Sequence, residues 1–488
     1  MRAGVGEPAA LPAASLAGVF TDAVRLLLFP PKWEKLMDIA THQDHFGLWS
    51  VFHIGCLRFP AARKTALALH AVLPDRLVYR VYWIPFLLVY LIATASKAVR
   101  TFGPGARRLT EISLWQQKLV LLRTCFRFPG LLPAEFYKQK FNLPKYAGRI
   151  EGAGHSFDVR AISHLVSGKT VAGVEREGAL AHDKMTFFRF LGENGLPAAS
   201  ILALFRWGSV EWLVPDETIP RDDLFIKPAH DDAGRGARRV FYDPVSCEYS
   251  IERPAAPMLR EDPLAEVGQV RLTSDDLIRL LCRSSEKVEW ILMPRLRNHP
   301  RLAELAGDAT LATLRIVTIR DRQGRFSVFF TFWRVALTDS AVDNVTQGGM
   351  ECNLDPVSGR LSAGYLFEDD SFFAVHPVTR APIKGAFLPC VPEAVDLCIQ
   401  AHRLLTEGDR NYLFLISFDV AVTVSGPVFI EANWPGDLSG PHICPTPLWR
   451  EPDFVRCADS FLKPLKGQRT HFHPDLWSRD KTSRDQTP

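Results

Sequence analysis

From about residue 150 onward the chain is built of short apolar runs set between segments of helical periodicity. The runs include Leu224-Phe225-Ile226, Leu314-Arg315-Ile316-Val317, Val328-Phe329-Phe330 and Val428-Phe429-Ile430. That alternation predicts an α/β or α+β domain. Upstream, residues 15 to about 145 read as helical. Apolar positions recur at three- and four-residue spacing from Leu114 to Phe128, with punctuation at Pro30-Pro31, Gly103-Pro104-Gly105 and Pro129-Gly130. A chain of 488 residues has room for two or three domain-sized units. The expected division is a helical accessory region over 1–145, a main domain over 146–463 that splits near residue 290, and a polar, aperiodic tail over 464–488 that predicts disorder. No internal repeat is evident at solenoid periods.

Composition narrows the function classes. Lys plus Arg (58) exceeds Asp plus Glu (54) by only 4, so no strong basic field argues for nucleic acid, while a small anionic ligand remains compatible. The 9 cysteines show no CxxC pair and no zinc spacing, which predicts neither a disulfide framework nor a zinc site and fits a reducing cytosol. The first twenty residues are Ala-rich but interrupted by Glu7, Pro8 and Pro12, and read as a loose leader.

Val81 to Ser96 carries no charge, with Arg76 and Arg80 before it and Lys97 and Arg100 after it. It falls short of the roughly 20 residues that span a bilayer, and Pro85 is expected to kink it. Two readings stay open: a buried core helix, or peripheral contact with a membrane, which the basic flanks and the Tyr and Trp residues suit. A cytoplasmic protein, with or without contact at the inner membrane face, is the matching expectation.

Three segments carry chemistry. In Ala181-His182-Asp183-Lys184, Asp183 reads as a helix N-cap and Phe187, Phe188 and Leu191 as the apolar face that follows, with Gly195 and Pro197 ending the helix. A lysine at a helix N-terminus suits an anion; a solvated lysine is the plain alternative. The second segment is the strand Leu224-Phe225-Ile226-Lys227-Pro228-Ala229, running into a loop with Gly234 and Gly236. Glycines there let backbone approach a phosphate and Lys227 supply its counter-charge, or the piece is a hairpin turn with an exposed lysine. The third is Phe418-Asp419-Val420-Ala421-Val422, then Gly426-Pro427, then Val428-Phe429-Ile430-Glu431-Ala432-Asn433. It reads as two strands and a turn. Residues two apart share a face, so Glu431 and Asn433 point together, and a hairpin brings Asp419 alongside. Three hard oxygen donors on one face suit Mg²⁺; a solvent-facing polar row is the alternative.

In this order the segments resemble the ATP-grasp superfamily, and finer details resemble its sugar-transfer-associated or α-L-glutamate-ligase-related branch. Those details are EWILMPRLRNHPRLAEL (289–305), TLRIVT (313–318), VDN with GG (342–349), HPVTR (376–380) and SFDVAVTVSGPVFIEANWPGDL (417–438). The resemblance covers about residues 150 to 460 and implies an α+β fold in which two subdomains clasp ATP, preceded by the helical region. It implies that Lys184 and Lys227 contact ATP phosphates beneath a loop at Gly234 and Gly236, and that Met293 to Leu296 form the hinge beside adenine. It also implies that Arg315 faces the transferred phosphoryl group, with a strand-face salt bridge as the alternative, and that Asp419, Glu431 and Asn433 hold Mg²⁺, two ions or Mn²⁺ in their place. Three positions depart from the family pattern: Met293-Pro294 in the hinge, Asp231-Asp232 in the phosphate loop, and Ala312 where relatives carry Asn.

The function so implied is ATP-dependent ligation, in which a small-molecule carboxylate is activated as an acyl-phosphate for attack by an amine or similar nucleophile, in the setting of cell-surface polysaccharides or peptide conjugates. An ATP-grasp kinase acting on a sugar or cyclitol hydroxyl, and a non-catalytic nucleotide-binding scaffold, remain the rivals.

Overall fold

The computed structural model describes residues 77–127, 131, 133–150, 154, 159, 162–163, 166–167, 171–230, 234–252, 262–265, 267, 270–337, 340–343, 345, 348–436, 438 and 446–465. Pro30-Pro31, Pro129-Gly130, Asp231-Asp232, the leader and the tail from residue 466 lie outside them.

The helical region opens with α1 (Leu77–Thr110), which a three-residue turn joins to α2 (Leu114–Arg127). Gly103-Pro104-Gly105 does not end α1, contrary to the sequence reading. Gly103 sits where a Cβ would come within 2.8 Å of Leu114 Cδ2, so its bareness lets the two helices close up, and Gln117 Nε2 donates to the Gly103 carbonyl at 3.2 Å. Tertiary contact thus overrides the local breaker. Pro85 likewise lies within α1. Short helices α3 (Pro133–Lys138) and α4 (Pro144–Ala147) complete a small core around Ala98, Leu121, Phe136 and Tyr137.

The main body begins with α5 (Val171–His182) and α6 (Lys184–Glu193), then β1 (Ala203–Arg206), β2 (Ser209–Trp212), β3 (Leu224–Pro228), β4 (Arg238–Asp243), β5 (Glu248–Ile251) and β6 (Arg271–Leu272). Next come α7 (Ser274–Ser284), capped by a reciprocal Thr273–Asp276 box, and β7 (Trp290–Pro294). These strands form one antiparallel sheet ordered β2-β1-β7-β3-β4-β5-β6. Because β7 lies inside this sheet, the break between the two halves falls after Pro294, a few residues beyond the division expected near 290. Leu224, Ile226 and Leu292 point to one face, where Leu277 and Leu281 of α7 cover them.

Past α8 (Pro300–Ala306) a second antiparallel sheet is built from β8 (Thr313–Arg320), β9 (Phe326–Val335), β10 (Met350–Leu354), β11 (Leu361–Leu366), β12 (Ser371–Phe373), β13 (Leu415–Thr423) and β14 (Gly426–Asn433). Their order is β12-β11-β10-β9-β8-β13-β14, and α9 (Val391–Leu405) enters the chain between β12 and β13. All four apolar runs singled out in the sequence are strands. Leu314, Ile316, Trp333, Phe418 and Val420 share the face that packs against Ala394, Cys398 and Ala401 of α9. A C-terminal helix, α10 (Pro452–Leu462), covers Phe414 and Ile319.

The helical region docks on this second sheet through charge. Lys140 donates to the Phe367 carbonyl, Lys145 lies 2.5 Å from Asp370 Oδ2, and the hydroxyls of Tyr146 and Tyr365 donate to Asp370 Oδ1 at 3.0 and 2.8 Å. Burial pulls Lys140 down to about 8.

His402 sits wholly inside the α9 interface, where its Nε2–H donates to the Leu413 carbonyl at 2.9 Å and its Nδ1 accepts from Thr318 Oγ1 at 2.7 Å. Burial holds it neutral, with a pKa down to about 3. The folded value lies below the unfolded value of about 6.5, so protons favour the unfolded chain and stability falls as pH drops from 6.5 toward 3. From pH 6.5 to 5 this group alone removes about 2 kcal/mol. Urea unfolding at a series of pH values should show that loss, and His402→Gln, which takes up no proton, should flatten it.

Candidate functional site

Strand alternation sorts β3. Ile226 faces the α7 core, so Lys227 faces the other way, beside its cross-strand partner Ile291 and near Met293, into the space between the sheets. That space is lined by Phe188, Leu204, Ala229, Ile291 and Met293 from the first half, with Leu296 and, from the second, Ile430 against them. Met293 is 4% exposed. The two hinge residues expected from the sequence therefore belong to one apolar wall bridging both halves. A further link is Ala199, whose N–H donates to the Phe429 carbonyl at 2.9 Å.

Asp183 caps α6 as expected, accepting from the Thr186 N–H at 2.8 Å, which places Lys184 in the first turn. Lys184 and Lys227 are near enough for their charges to repel. Burial lowers Lys227 to about 8; Lys184 pushes it further down while Glu431 and Asp419 pull it up. The Lys227 ammonium also lies 5.5 Å from the centre of the Phe188 ring. Lys227 of the first sheet, Lys184 of α6 and two carboxylates of the second sheet thus share one local field.

The loop glycines adopt positive φ, +70° at Gly234 and +73° at Gly236. At Gly234 a Cβ would stand 2.7 Å from Val342 Cγ2, so Gly234 packs directly on Val342 of the second half. His230, just before the loop, lies between Glu289 Oε2 at 3.3 Å and Asp183 Oδ2 at 3.6 Å.

On the second sheet the β13–β14 hairpin forms in the register that sets Asp419 opposite Glu431 and Ser417 opposite Asn433. Asn433 Nδ2 donates to Glu431 Oε1 at 3.4 Å. Asp419 also faces Arg315 across β8. Arg315 grips it bidentately, Nε to Oδ1 at 2.6 Å and Nη2 to Oδ2 at 2.8 Å, so the salt-bridge alternative is the one this structure displays. A second arginine, absent from the sequence reading, completes the clamp: Arg334 Nη2 lies 2.8 Å from Asp419 Oδ2. It donates as well to Thr313 Oγ1 and faces Asp343 at 3.7 Å, while Asp343 accepts from the Thr313 N–H at 2.8 Å and hydroxyl at 2.6 Å. Burial pushes Asp343 upward. The same burial acts on Asp419, yet Arg315 and Arg334 outweigh it and hold that carboxyl well below the usual range.

Arg334 had a sequence signal: one cation within the apolar strand FSVFFTFWRV demands a buried partner. Other family-like segments brace the frame. Asn298 Oδ1 accepts from the Ala312 N–H at 2.9 Å, and His376 Nδ1 accepts from the Thr379 N–H at 3.0 Å. So Ala312 is anchored through its backbone, and HPVTR forms a turn against the end of α8, where Thr379 Oγ1 donates to the Leu305 carbonyl.

Breaking the Arg334 pair should be costly. Arg334→Met leaves Asp343 buried beside no cation and should destabilise by about 3–5 kcal/mol in urea unfolding. The pair Arg456–Asp453, exposed on both sides, is the control, and Arg456→Met should change stability by less than about 1 kcal/mol.

Known proteins bear on this architecture. No curated protein sequence matches the chain. Among solved structures it is similar to a D-alanine–D-alanine ligase from Bacillus anthracis complexed with ATP, at 12% identity over 59% of this chain and 67% of that one, TM-score 0.29. It is also similar to D-alanyl-alanine synthetase A from Vibrio cholerae O1 biovar eltor, at 12% identity over 58% and 66%, TM-score 0.31. A third is the ADP complex of the N5-carboxyaminoimidazole ribonucleotide synthetase purK, at 12% identity over 52% and 45%, TM-score 0.27. The chain therefore spans about half to two thirds of the length of these proteins, and likeness at this level does not extend to activity. The family profile described as sugar-transfer associated ATP-grasp matches residues 175–445, which hold both sheets and every side chain of the cleft described above. Matching over more than half of its length, the chain belongs to the sugar-transfer associated ATP-grasp family.

Proposed function

We propose that the protein is an ATP- and Mg²⁺-dependent ligase that activates a small-molecule carboxylate as an acyl-phosphate. The observation that carries this reading is the shared field of the cleft, where Lys227 of the first sheet and Lys184 at the start of α6 meet Asp419 and Glu431 of the second. Two lysines held together call for a polyanion between them. A polyphosphate chain supplies it.

Asp419, Glu431 and Asn433 fit a divalent ion by the chemistry of their donors. Among the described residues no cluster of three or more His, Cys, Asp or Glu side chains is placed to hold a metal, so the set would be two carboxylates and an amide. A carboxylate has about four lone-pair sites. Arg315 and Arg334 occupy three on Asp419, and Glu431 approaches the rest closely enough for a hydrogen bond. Two carboxylates so close need a proton or a cation between them. Magnesium bound there would offset phosphate charge and fix the phosphate geometry.

In the first step an oxygen of the acceptor carboxylate forms a bond to the γ-phosphorus as the bond to the β–γ bridging oxygen breaks, and ADP leaves. Lys227 and Lys184 hold the phosphates and offset the charge that gathers on the bridge. Arg315 faces the transferring group while Asp419 holds its guanidinium in place. An amine nitrogen then attacks the carbonyl carbon, loses its proton, and phosphate departs with the bonding pair. Met293 and Leu296 present an apolar edge to adenine, with backbone groups of β7 left to read it. The acceptor class we assign by family association is a precursor of cell-surface polysaccharides or peptide conjugates, handled on the cytoplasmic side.

The charge on Lys227 should be visible in binding. Its pKa of about 8 means that the free cleft loses a cation as pH rises past 8, so the ATP Kd should rise roughly tenfold between about pH 7.5 and 9.5. Lys227→Arg should stay flat by calorimetric titration, and Lys227→Ala should be weak throughout. Hydroxylamine separates ligase from kinase chemistry. With MgATP and a panel of amino acids and uronic acids, a ligase yields hydroxamate and ADP in equal amounts, and Arg315→Ala loses both. A hydroxylamine-resistant phosphoester on a sugar hydroxyl would replace the ligase reading and keep the cleft assignment.

A further inference from the structure

The helical region leaves an apolar surface outside its own core. Leu121 and Cys125 of α2 are buried against α1, whereas Trp115 and Leu119, one turn apart on the outer side, are 65% and 37% exposed, with Val120 beside them at 47%. Ile92 of α1 is exposed as well. An outward tryptophan and leucine on an amphipathic helix form a surface in want of an apolar covering.

Charge says what covers it. Helices α1 and α2 contain eight basic residues (Arg80, Lys97, Arg100, Arg107, Arg108, Lys118, Arg123 and Arg127) and no acidic one. The chain as a whole is nearly balanced at +4, so this is a local concentration of positive charge. Lys97, Arg100, Arg107 and Arg108 are all exposed. A second copy seated here would bring two basic helix pairs together, which disfavours self-association. An anionic bilayer offers both a negative surface and an apolar boundary layer, and tryptophan favours that boundary. Among the described residues no helix is long and apolar enough to cross a membrane. α1, about 51 Å long at its 34 residues, would therefore lie along a surface.

We propose that α1 and α2 dock the protein on anionic phospholipid, with Trp115, Leu119 and Val120 entering the headgroup–acyl boundary and the surrounding lysines and arginines meeting lipid phosphates. The docked unit is fixed to the second sheet through Lys140, Lys145 and Asp370, so the cleft is held at a set height above the lipid. This placement is independent of which reaction the cleft performs.

Vesicle sedimentation of the full-length protein tests it. The protein should pellet with phosphatidylcholine vesicles containing about 30% phosphatidylglycerol, stay free of pure phosphatidylcholine, and be released at about 1 M salt, where screening reaches within about 3 Å. Trp115→Ser combined with Leu119→Ser should weaken binding at least tenfold, on the order expected for two exposed apolar anchors, with the thermal midpoint unchanged. Lys97→Glu with Arg100→Glu should weaken it without touching the apolar face. Equal binding to both vesicle types, or none to either, would overturn the proposal. So would wild-type binding by both double variants. Light scattering that shows a dimer split by the Trp115/Leu119 variant assigns the face to a second copy instead. Binding that appears only once residues 1–76 are removed assigns it to that segment.

Discussion

A carboxylate buried within a seven-stranded sheet, one strand in from its edge, governs this site. Asp419 is 1% exposed, and an ion so placed is tolerated only when partners replace the water it has lost. Arg315 supplies a planar two-pronged grip from the next strand, and Arg334 reaches in from the strand beyond. Each arginine then needs its own surroundings: Thr313 and Asp343 complete those of Arg334. One buried charge thereby fixes the rotamers on three strands, and with them the position from which Glu431 and Asn433 look out. Preorganisation of this kind is what charge-stabilising catalysis requires, because no reorientation is left for the moment of reaction.

The opposing half is arranged on the same logic with the sign reversed. Lys227 is nearly as buried as Asp419, and burial alone works against its charge. Glu431 and Asp419, across the cleft, pull the other way. The two halves are therefore electrostatically incomplete apart and complementary together. Apolar packing of Phe188, Ile291, Met293 and Ile430 closes the dry side of the cleft and keeps these charges in a medium of low polarity, where each interaction counts for more.

The helical region is joined to this machinery through Asp370, which takes Lys145 and two tyrosine hydroxyls at once. Its basic, partly apolar surface is thus held in fixed relation to the second sheet. Burial of Lys140 at this joint shows that the contact excludes water and does more than tether the helices.

The residues alone determined much of the local structure. Alternation placed the strands, Asp183 followed by Phe187, Phe188 and Leu191 placed the α6 cap and its buried face, and the two-residue spacing of Glu431 and Asn433 put both on the face that Asp419 joins. All of these depend on neighbours within one helix turn or one hairpin, where spacing is geometry. The tertiary structure decided the rest. Arg334 and Asp343 meet Asp419 only because β9 pairs with β8 in one register. The Gly103-Pro104-Gly105 breaker is carried through α1 because α2 packs against it. β7 joins the first sheet rather than the second because Ala203–Phe205 and Leu224–Pro228 flank it on both sides. Those outcomes depend on which strand or helix lies alongside, a long-range choice made by burial of the whole sheet, and no short window of sequence contains it.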